Sequence, residues 1–285
     1  MSKHPHHLRQ PGGFGPGYTA ITRAGEAEGD TGMDFGILRL REGETFSPSG
    51  KSEGALLLLE GRVRFAVGGQ QHEAERASIF DDEPIALHYP SASDVTLTAL
   101  SATCELCVVE TAPGEAPFEA KLFDADSMLE SEHRGKGRLD DASYRIVRTI
   151  FDGRNRPQAK LVLGEVVTFP GRWSSYPPHH HPQPEIYHYR FTDPRGYGHA
   201  ELGDDVLKVQ QHDTIKILDF NDHSQVAAPG YGMYYIWAIR HLDGDPYTVP
   251  EFTREHAWLN APQPPDFWRP TKLIARGDDD EGGSR

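Results

Sequence analysis

The stretch Trp173-Ser-Ser-Tyr-Pro-Pro-His179-His180-His181-Pro-Gln-Pro-Glu185-Ile-Tyr187 decides how this chain is interpreted. It is short and rich in proline, as expected of an extended segment, and successive side chains of a strand point to opposite faces. His179 and His181 therefore share one face, while His180 points to the other. Together with Glu185 and the more distant His223, the paired imidazoles form a candidate site for a divalent transition metal.

The rest of the chain consists of short segments rich in Val, Ile, Leu, Phe and Tyr, separated by many of its 22 prolines and 29 glycines. Examples are residues 35–40, 62–67, 95–100 and 234–239. Their length and composition are typical of strands, and sustained helical periodicity is almost absent. The sequence therefore predicts an all-β protein, built as a sandwich or as barrels.

The two halves of the chain loosely repeat one order of elements, in which strands lead to a turn, an apolar hairpin, a proline-containing stretch and a closing strand. The charged and polar stretch 124–141 lies between the halves and is the best candidate linker. We expect two small β-barrels in tandem. The predicted parts are an N-terminal barrel (1–111), a linker region (112–140), a metal-binding C-terminal barrel (141–270) and a disordered acidic tail (271–285).

Composition restricts the partners of the protein. Its 285 residues include 43 acidic and 29 basic ones, a net charge of −14, and no basic run occurs, which argues against nucleic acid or an anionic membrane as partner. The longest aliphatic run, residues 55–59, is far too short to cross a bilayer, and the N-terminus lacks the apolar core of a signal peptide. Cys104 and Cys107 are too few for a disulfide framework and are expected to be core thiols. We expect a soluble, cytoplasmic protein. Whether it forms a homo-oligomer stays open.

The histidine motif also has a plainer interpretation, a solvent-exposed cluster at a proline-rich turn. A metal site requires the ligands to converge from the inward faces of strands that are neighbours in space. Motif spacing alone produces false positives, so the two interpretations must be separated by geometry.

Longer motifs extend along the chain. They are Arg134-Gly-Lys-Gly, Arg145-Ile-Val-Arg148, Leu163-Gly-Glu-Val, Pro170-Gly-Arg-Trp-Ser-Ser-Tyr-Pro-Pro-His-His-His181, Glu185-Ile-Tyr-His-Tyr-Arg190, Ala227-Ala-Pro-Gly-Tyr231 and Glu255-His-Ala-Trp258. With these motifs the chain resembles the bicupin family of 5-deoxyglucuronate isomerases, enzymes of bacterial inositol catabolism. The similarity runs from about Leu8 to Trp258, and Trp-Ser-Ser-Tyr-Pro-Pro-His-x-His is its most specific motif.

The resemblance implies a bicupin fold with a degenerate N-terminal cupin and one divalent metal ion in the C-terminal cupin. The implied metal ligands are His179, His181, Glu185 and His223. Zinc is the first choice because the resemblance points to it, and Mn²⁺, Fe²⁺ and Ni²⁺ suit the same ligands. The family usually has a lysine at the position of His180, an acidic residue at that of Pro182, and Pro-Gly-Tyr before the last histidine ligand; these differences bear on the substrate.

The implied reaction converts 5-deoxy-D-glucuronate into 5-dehydro-2-deoxy-D-gluconate by moving a hydrogen between C1 and C2. A metal ion would stabilise the negative charge that develops on the enediolate oxygens. The candidates for the group that moves the proton are His180, Tyr176, Tyr187 and a metal-bound hydroxide. A hydride shift, which needs no base, stays open.

Arginine suits the carboxylate of a sugar acid because its guanidinium can bind both oxygens at once. Arg172 and Arg190 flank the metal motif and are the candidate substrate-binding residues, with Arg148 less certain. The alternative for each is a surface arginine paired with one of the many carboxylates of this acidic protein.

Two other functions fit the same residues. A cupin dioxygenase would use Fe(II) in a His/His/Glu/His site, and oxygen consumption would distinguish it from an isomerase. A non-catalytic protein that binds sugar acids would hold the small-molecule partner without turnover.

Overall fold

The computed structural model describes residues 4–263 and 266–270. The first half of the chain contains β1 (His7–Leu8), β2 (Gly17–Thr22), β3 (Met33–Leu40), β4 (Thr45–Phe46), β5 (Glu53–Val67), β6 (Gln70–Arg76), β7 (Ile85–Tyr89), β8 (Val95–Ala99), β9 (Cys104–Thr111) and β10 (Lys121–Phe123). The second half contains β11 (Glu132–Arg134), β12 (Arg145–Phe151), β13 (Leu161–Thr168), β14 (Trp173–His180), β15 (Glu185–Phe191), β16 (Tyr197–Leu202), β17 (Asp205–Gln210), β18 (Thr214–Ile217), β19 (His223–Ala227), β20 (Met233–Arg240) and β21 (Glu251–Phe252). Two short 3₁₀ helices, Leu139–Asp141 and Ala257–Asn260, complete the elements of the described residues. The prediction of an all-β protein is confirmed.

The strands form three antiparallel sheets. Strands β2 to β10 make a nine-stranded sheet whose main path is β10-β7-β5-β9-β3-β2, with β4, β6 and β8 paired beside it. The second half forms a seven-stranded sheet in the order β1-β18-β15-β20-β13-β12-β11 and a five-stranded sheet in the order β17-β16-β19-β14-β21. Strand β1 is the exception to this division, because it comes from the N-terminus and pairs with β18.

Alternation along the strands sorts the apolar residues into three buried clusters. On β5, Leu56 and Leu58 belong to a cluster made only of first-half residues. Their neighbours Ala55, Leu57 and Leu59 face the other way, into a cluster shared with second-half residues. The run of leucines is continuous because both faces of this strand are buried. A third cluster lies wholly within the second half.

A buried ion network also joins the two halves. Glu165 on β13 accepts hydrogen bonds from Arg76 of the first half (2.6 and 3.0 Å), from Arg148 (3.0 Å) and from the Tyr234 hydroxyl (2.7 Å). The side chains of Arg76 and Glu165 are completely inaccessible to solvent. Arg148, a candidate for substrate binding, is therefore committed to the structure.

The predicted linker is not free of regular structure. Its residues 121–123 form β10, which pairs with β7, and residues 132–134 form β11, which pairs with β12. The boundaries at residues 111 and 140 stay predictions, and the predicted tail 271–285 lies outside the described residues. Cys104 and Cys107 are both buried and free. The described part of the chain contains no helix long and apolar enough to cross a membrane.

Candidate metal centre

Three neighbouring chain segments bring the candidate metal ligands together. His179 on β14 lies directly opposite His223 on β19 in the antiparallel register. His181 follows the end of β14, and Glu185 is the first residue of β15, so the turn between these strands carries both. The convergence that the metal interpretation requires is therefore present for His181, Glu185 and His223, which form a potential metal-binding group.

The three side chains meet at one carboxylate oxygen. Oε2 of Glu185 lies 3.1 Å from Nε2 of His181 and 3.4 Å from Nε2 of His223. All three residues are buried, and their donor atoms lie within 4.8 Å of one another. His179 is not a member of this tight group, but its ring centroid lies 4.4 Å from that of His223 and it lines the same cavity. An exposed histidine cluster is thereby excluded for these side chains.

The backbone determines which nitrogen of each imidazole faces the site. The Nδ1 atoms contact carbonyl oxygens of Pro177 (from His179, 3.2 Å), Gln183 (from His181, 2.9 Å) and Asn221 (from His223, 3.1 Å). A carbonyl oxygen can only accept, so each Nδ1 must carry a proton and donate it. In a neutral imidazole this leaves an unprotonated Nε2, the form that binds a metal ion.

The electrostatics of the site favour a cation. Burial opposes ionisation of Glu185, but the contacts with His181 and His223 outweigh it and lower the pKa of the carboxyl to about 2. Burial, followed by repulsion from His223, lowers the pKa of His179 to about 3. Nε2 of His223 is buried without a hydrogen-bond partner. An ionised carboxylate that faces imidazole nitrogens is a donor set in which a divalent transition metal can replace the protons shared between them.

The group borders a cavity of about 240 Å³. Its wall comes from alternate positions of the seven-stranded sheet, among them Tyr187 on β15 and Tyr235 and Trp237 on β20. Gly164 on β13 makes room for Trp237, because a Cβ atom there would lie 2.6 Å from the indole Nε1. These three aromatic side chains therefore border the cavity.

Hydroxyl groups form a connected network in that wall. The hydroxyl of Tyr187 lies 3.1 Å from Oγ of Ser175, which lies 3.3 Å from the hydroxyl of Tyr235; this hydroxyl contacts Oγ of Ser174 at 2.6 Å. Burial, and then the nearby Glu185 carboxylate, raise the pKa of Tyr187 well above 10. The phenol is therefore protonated at neutral pH and can donate a hydrogen bond to a bound molecule.

The three candidates for proton transfer lie in different places. Tyr176 and Tyr187 both line the cavity. His180 does not: it points to the opposite face, as strand alternation requires, and its Nδ1 lies 2.6 Å from Oδ1 of Asp222. His180 also packs on Phe220 at a ring distance of 4.1 Å. Its predicted catalytic role receives no support from this geometry.

The two arginines predicted to bind substrate lie elsewhere. Arg190 is buried, but it faces away from the cavity and pairs with Glu105 of the first half at 2.7 Å. It follows Glu185 by five residues, an odd interval, so the two side chains occupy opposite faces of β15. Arg172 is half-buried and is also not among the residues that line the cavity. The structure therefore does not support substrate binding in this cavity by Arg172 or Arg190.

The cavity contains residues that the sequence analysis did not assign to the site. These are Arg134, Arg145, Arg154, Tyr247 and Phe252. Arg134 and Arg145 lie in motifs that carry the family resemblance, and those motifs were the feature of the sequence that could have identified them as site residues. Tyr247, whose ring lies 4.9 Å from that of His181, stands in a loop with no recognisable motif.

Comparison with known proteins shows the family of this chain. The family model described as KduI/IolB matches residues 8–259. A protein of Geobacillus kaustophilus named 5-deoxy-glucuronate isomerase is 27% identical over 72% of this chain and 78% of its own length. One of the same name from Lacticaseibacillus casei is 28% identical over 73% of this chain and 79% of its own length.

Solved structures show the same fold. An IolB-like protein from Salmonella typhimurium superimposes with a TM-score of 0.76 at 24% identity, covering 87% of this chain and 97% of its own. The oxalate decarboxylase of Lactobacillus farciminis superimposes with a TM-score of 0.60 at 11% identity, covering 95% and 90%. The predicted bicupin fold is confirmed.

Proposed function

Because the chain belongs to the KduI/IolB family, we propose that it is a metal-dependent aldose–ketose isomerase. The proposed reaction converts 5-deoxy-D-glucuronate into 5-dehydro-2-deoxy-D-gluconate, as in the catabolism of myo-inositol. One observation carries the proposal. His181, Glu185 and His223 direct two imidazole nitrogens and a carboxylate oxygen to one point beside a cavity lined by hydroxyl groups.

The residues that would hold the metal ion are His181, Glu185 and His223, with His179 as the fourth ligand. Zinc is the first candidate among the divalent ions that suit imidazole and carboxylate. A bound divalent cation supplies a Lewis acid where negative charge develops during enolisation. The carbonyl oxygens behind each imidazole keep the rings oriented whether or not the ion is present.

The chain's own hydroxyl groups would orient the sugar. Tyr187 stays protonated and would donate a hydrogen bond to a substrate oxygen, held in place by Ser175. Burial also raises the pKa of Tyr176, so neither phenol is poised to remove a proton from carbon at neutral pH. We therefore assign both phenols the role of donating a hydrogen bond to a substrate oxygen. A direct hydride shift between C1 and C2, which needs no base, is then an alternative to proton removal.

The proposal is tested by incubating 5-deoxy-D-glucuronate with the protein and following loss of the aldehyde and gain of the ketone by NMR. Chelation and His181→Ala should each abolish turnover, and His181→Ala should also lower the metal content measured by mass spectrometry. His199→Ala, which removes an exposed histidine of β16, is the matched control and should retain both.

Three outcomes would reject the proposal. Full activity of metal-free protein would exclude a metal-dependent isomerase. Consumption of oxygen with an iron-loaded protein would identify a cupin dioxygenase instead. Binding of the sugar acid without turnover would identify a binding protein. Running the reaction in deuterated water further distinguishes proton exchange, which incorporates deuterium, from a hydride shift, which does not.

A further inference from the structure

A buried arginine in the cavity wall has no acidic partner. Arg145 is the first residue of β12, and it lines the cavity on the same face as Val147 and Thr149. Only 8% of the residue is exposed. Its guanidinium donates to the carbonyl oxygens of Ser143 (2.8 Å) and Tyr176 (3.2 Å). No carboxylate of residues 4–263 or 266–270 lies within ion-pair distance of it.

The surroundings of Arg145 are positively charged. A second cavity of about 260 Å³ adjoins the first and shares Arg134, Arg145 and Tyr176 with it. Arg138 also lines this second cavity, and its described lining contains no Asp or Glu. Arg134, which lines both cavities, pairs with Glu132 at 2.8 Å. Arg138 and Arg145 therefore face this second cavity without a carboxylate in its described lining.

This arrangement is unusual in so acidic a chain. With 43 acidic and 29 basic residues, a buried guanidinium could readily have been given a partner. Burial, aided by repulsion from Arg134, lowers the pKa of Arg145 to about 10, so the group is charged at neutral pH but poorly stabilised. A buried charge without a counter-ion is costly, and an anionic ligand would remove that cost.

The local backbone holds the guanidinium in position. Gly135 follows β11 with a φ of +77°, and a Cβ atom there would lie 2.7 Å from Oγ of Ser143. The close approach of this turn thus depends on glycine. Ser143 in turn supplies the carbonyl oxygen that accepts from Arg145, so the position of the cation is determined before any ligand arrives.

We propose that Arg145, assisted by Arg134, binds the carboxylate of the sugar-acid substrate, whose reacting carbons then lie toward His181, Glu185 and His223. This assignment rests on the proposed function and replaces Arg172 and Arg190 in that role. A carboxylate matches the fork of a guanidinium, and both arginines line the same cavity as His181 and Glu185. Specificity for an acid over a neutral sugar follows from the unpaired charge.

The first test compares Arg145→Gln with the wild type on 5-deoxy-D-glucuronate and on 5-deoxy-D-glucose, which lacks the carboxylate. Loss of one partner of a desolvated charge pair should raise KM for the acid by about 30-fold or more. KM for the neutral sugar should change little. Arg134→Gln, at a more exposed position, should give a smaller rise, and the surface variant Arg195→Gln should give none.

The second test does not depend on catalysis. Metal-free protein is titrated with D-glucuronate and with D-glucuronamide while the fluorescence of Trp237, a wall residue, is followed in a variant background lacking the other three tryptophans. The acid should bind more tightly than the amide in wild type, and Arg145→Gln should abolish the difference. The thermal midpoint of each variant shows whether it is folded, and Arg145→Lys provides a second, charge-retaining variant with intermediate affinity.

The outcomes separate the two proposals. If wild type isomerises the acid but Arg145→Gln leaves KM unchanged, the assignment is wrong and the proposed function stands. The assignment is also wrong if Arg172→Gln, and not Arg145→Gln, produces the rise in KM. If wild type shows no turnover but prefers glucuronate to the amide through Arg145, the proposed function fails and the carboxylate site stands.

Discussion

Replacement of Glu165 by glutamine should destabilise the protein strongly, although Glu165 touches neither the cavity nor the metal-binding group. The substitution keeps the shape of the side chain and removes its charge. Arg148 would retain Glu83, whose Oε2 lies 3.4 Å from its Nε. Arg76 would keep the carbonyl oxygens of Leu58 and Asp82 and the amide oxygen of the new glutamine, but it would have no carboxylate partner.

The magnitude follows from that difference. Only Arg76 would be left as a buried charge without a counter-ion, and breaking one buried pair in this way costs about 3–5 kcal/mol. With the shift of roughly 2 °C per kcal/mol typical of large domains, the thermal midpoint should fall by roughly 6–10 °C. Binding of metal should persist, because the network lies on the other face of β13 from the cavity.

The measurement is thermal and urea unfolding of wild type and Glu165→Gln, followed by circular dichroism. Glu73→Gln is the matched control, since Glu73 also lies between two arginines, Arg62 and Arg64, but in solvent. A midpoint no lower than that of the control would refute the reasoning. So would an Arg76→Met/Glu165→Gln double variant no more stable than Glu165→Gln, because removing both charges should restore part of the stability.

Two further predictions concern the cavity wall and the junction between the halves. Gly164→Ala should force the indole of Trp237 toward the cavity, since the added Cβ would lie 2.6 Å from its Nε1; we expect a loss of about 1–3 kcal/mol in urea unfolding and a raised KM, and unchanged values would contradict the packing argument. Burial and then Arg190 hold the pKa of His188 well below 6.5, so the unfolded chain binds a proton there that the folded chain does not. The free energy of unfolding should therefore fall as pH drops below 6.5, by up to about 1.4 kcal/mol per pH unit for this group. Urea unfolding between pH 5 and 7.5 should show a shallower slope in His188→Gln, and an equal slope would remove His188 as the cause.

Much of the fold was accessible from sequence because it is encoded over short distances. Val, Ile and aromatic residues in short segments between glycines and prolines indicate strands, and the structure contains strands at those positions. The opposite orientation of His180 from His179 and His181 is likewise a local property of an extended chain. The bicupin arrangement required more, because it depended on long motifs shared with a family.

The arginines show that a position beside the metal motif in the sequence need not be a position beside the cavity in the fold. Arg172 and Arg190 were chosen because they flank the metal motif in the sequence, yet neither lines the cavity. The odd spacing of Arg190 from Glu185 already indicated opposite faces. What no local pattern could provide was the partner on that other face, Glu105 of the first half, which lies 85 residues away.

Arg145 shows the opposite case, a site residue remote in sequence from the motif it serves. It precedes Glu185 by 40 positions and reaches the same cavity because β12, β13, β20 and β15 are successive neighbours in one sheet.

The period of two along each strand, the acidic composition and the histidine motif are properties of the sequence by itself. The period of two determines which side chains of a strand share a face. Tertiary structure alone decides which face encloses a cavity and which charges meet there, because the order of strands in a sheet depends on contacts between residues far apart in the chain.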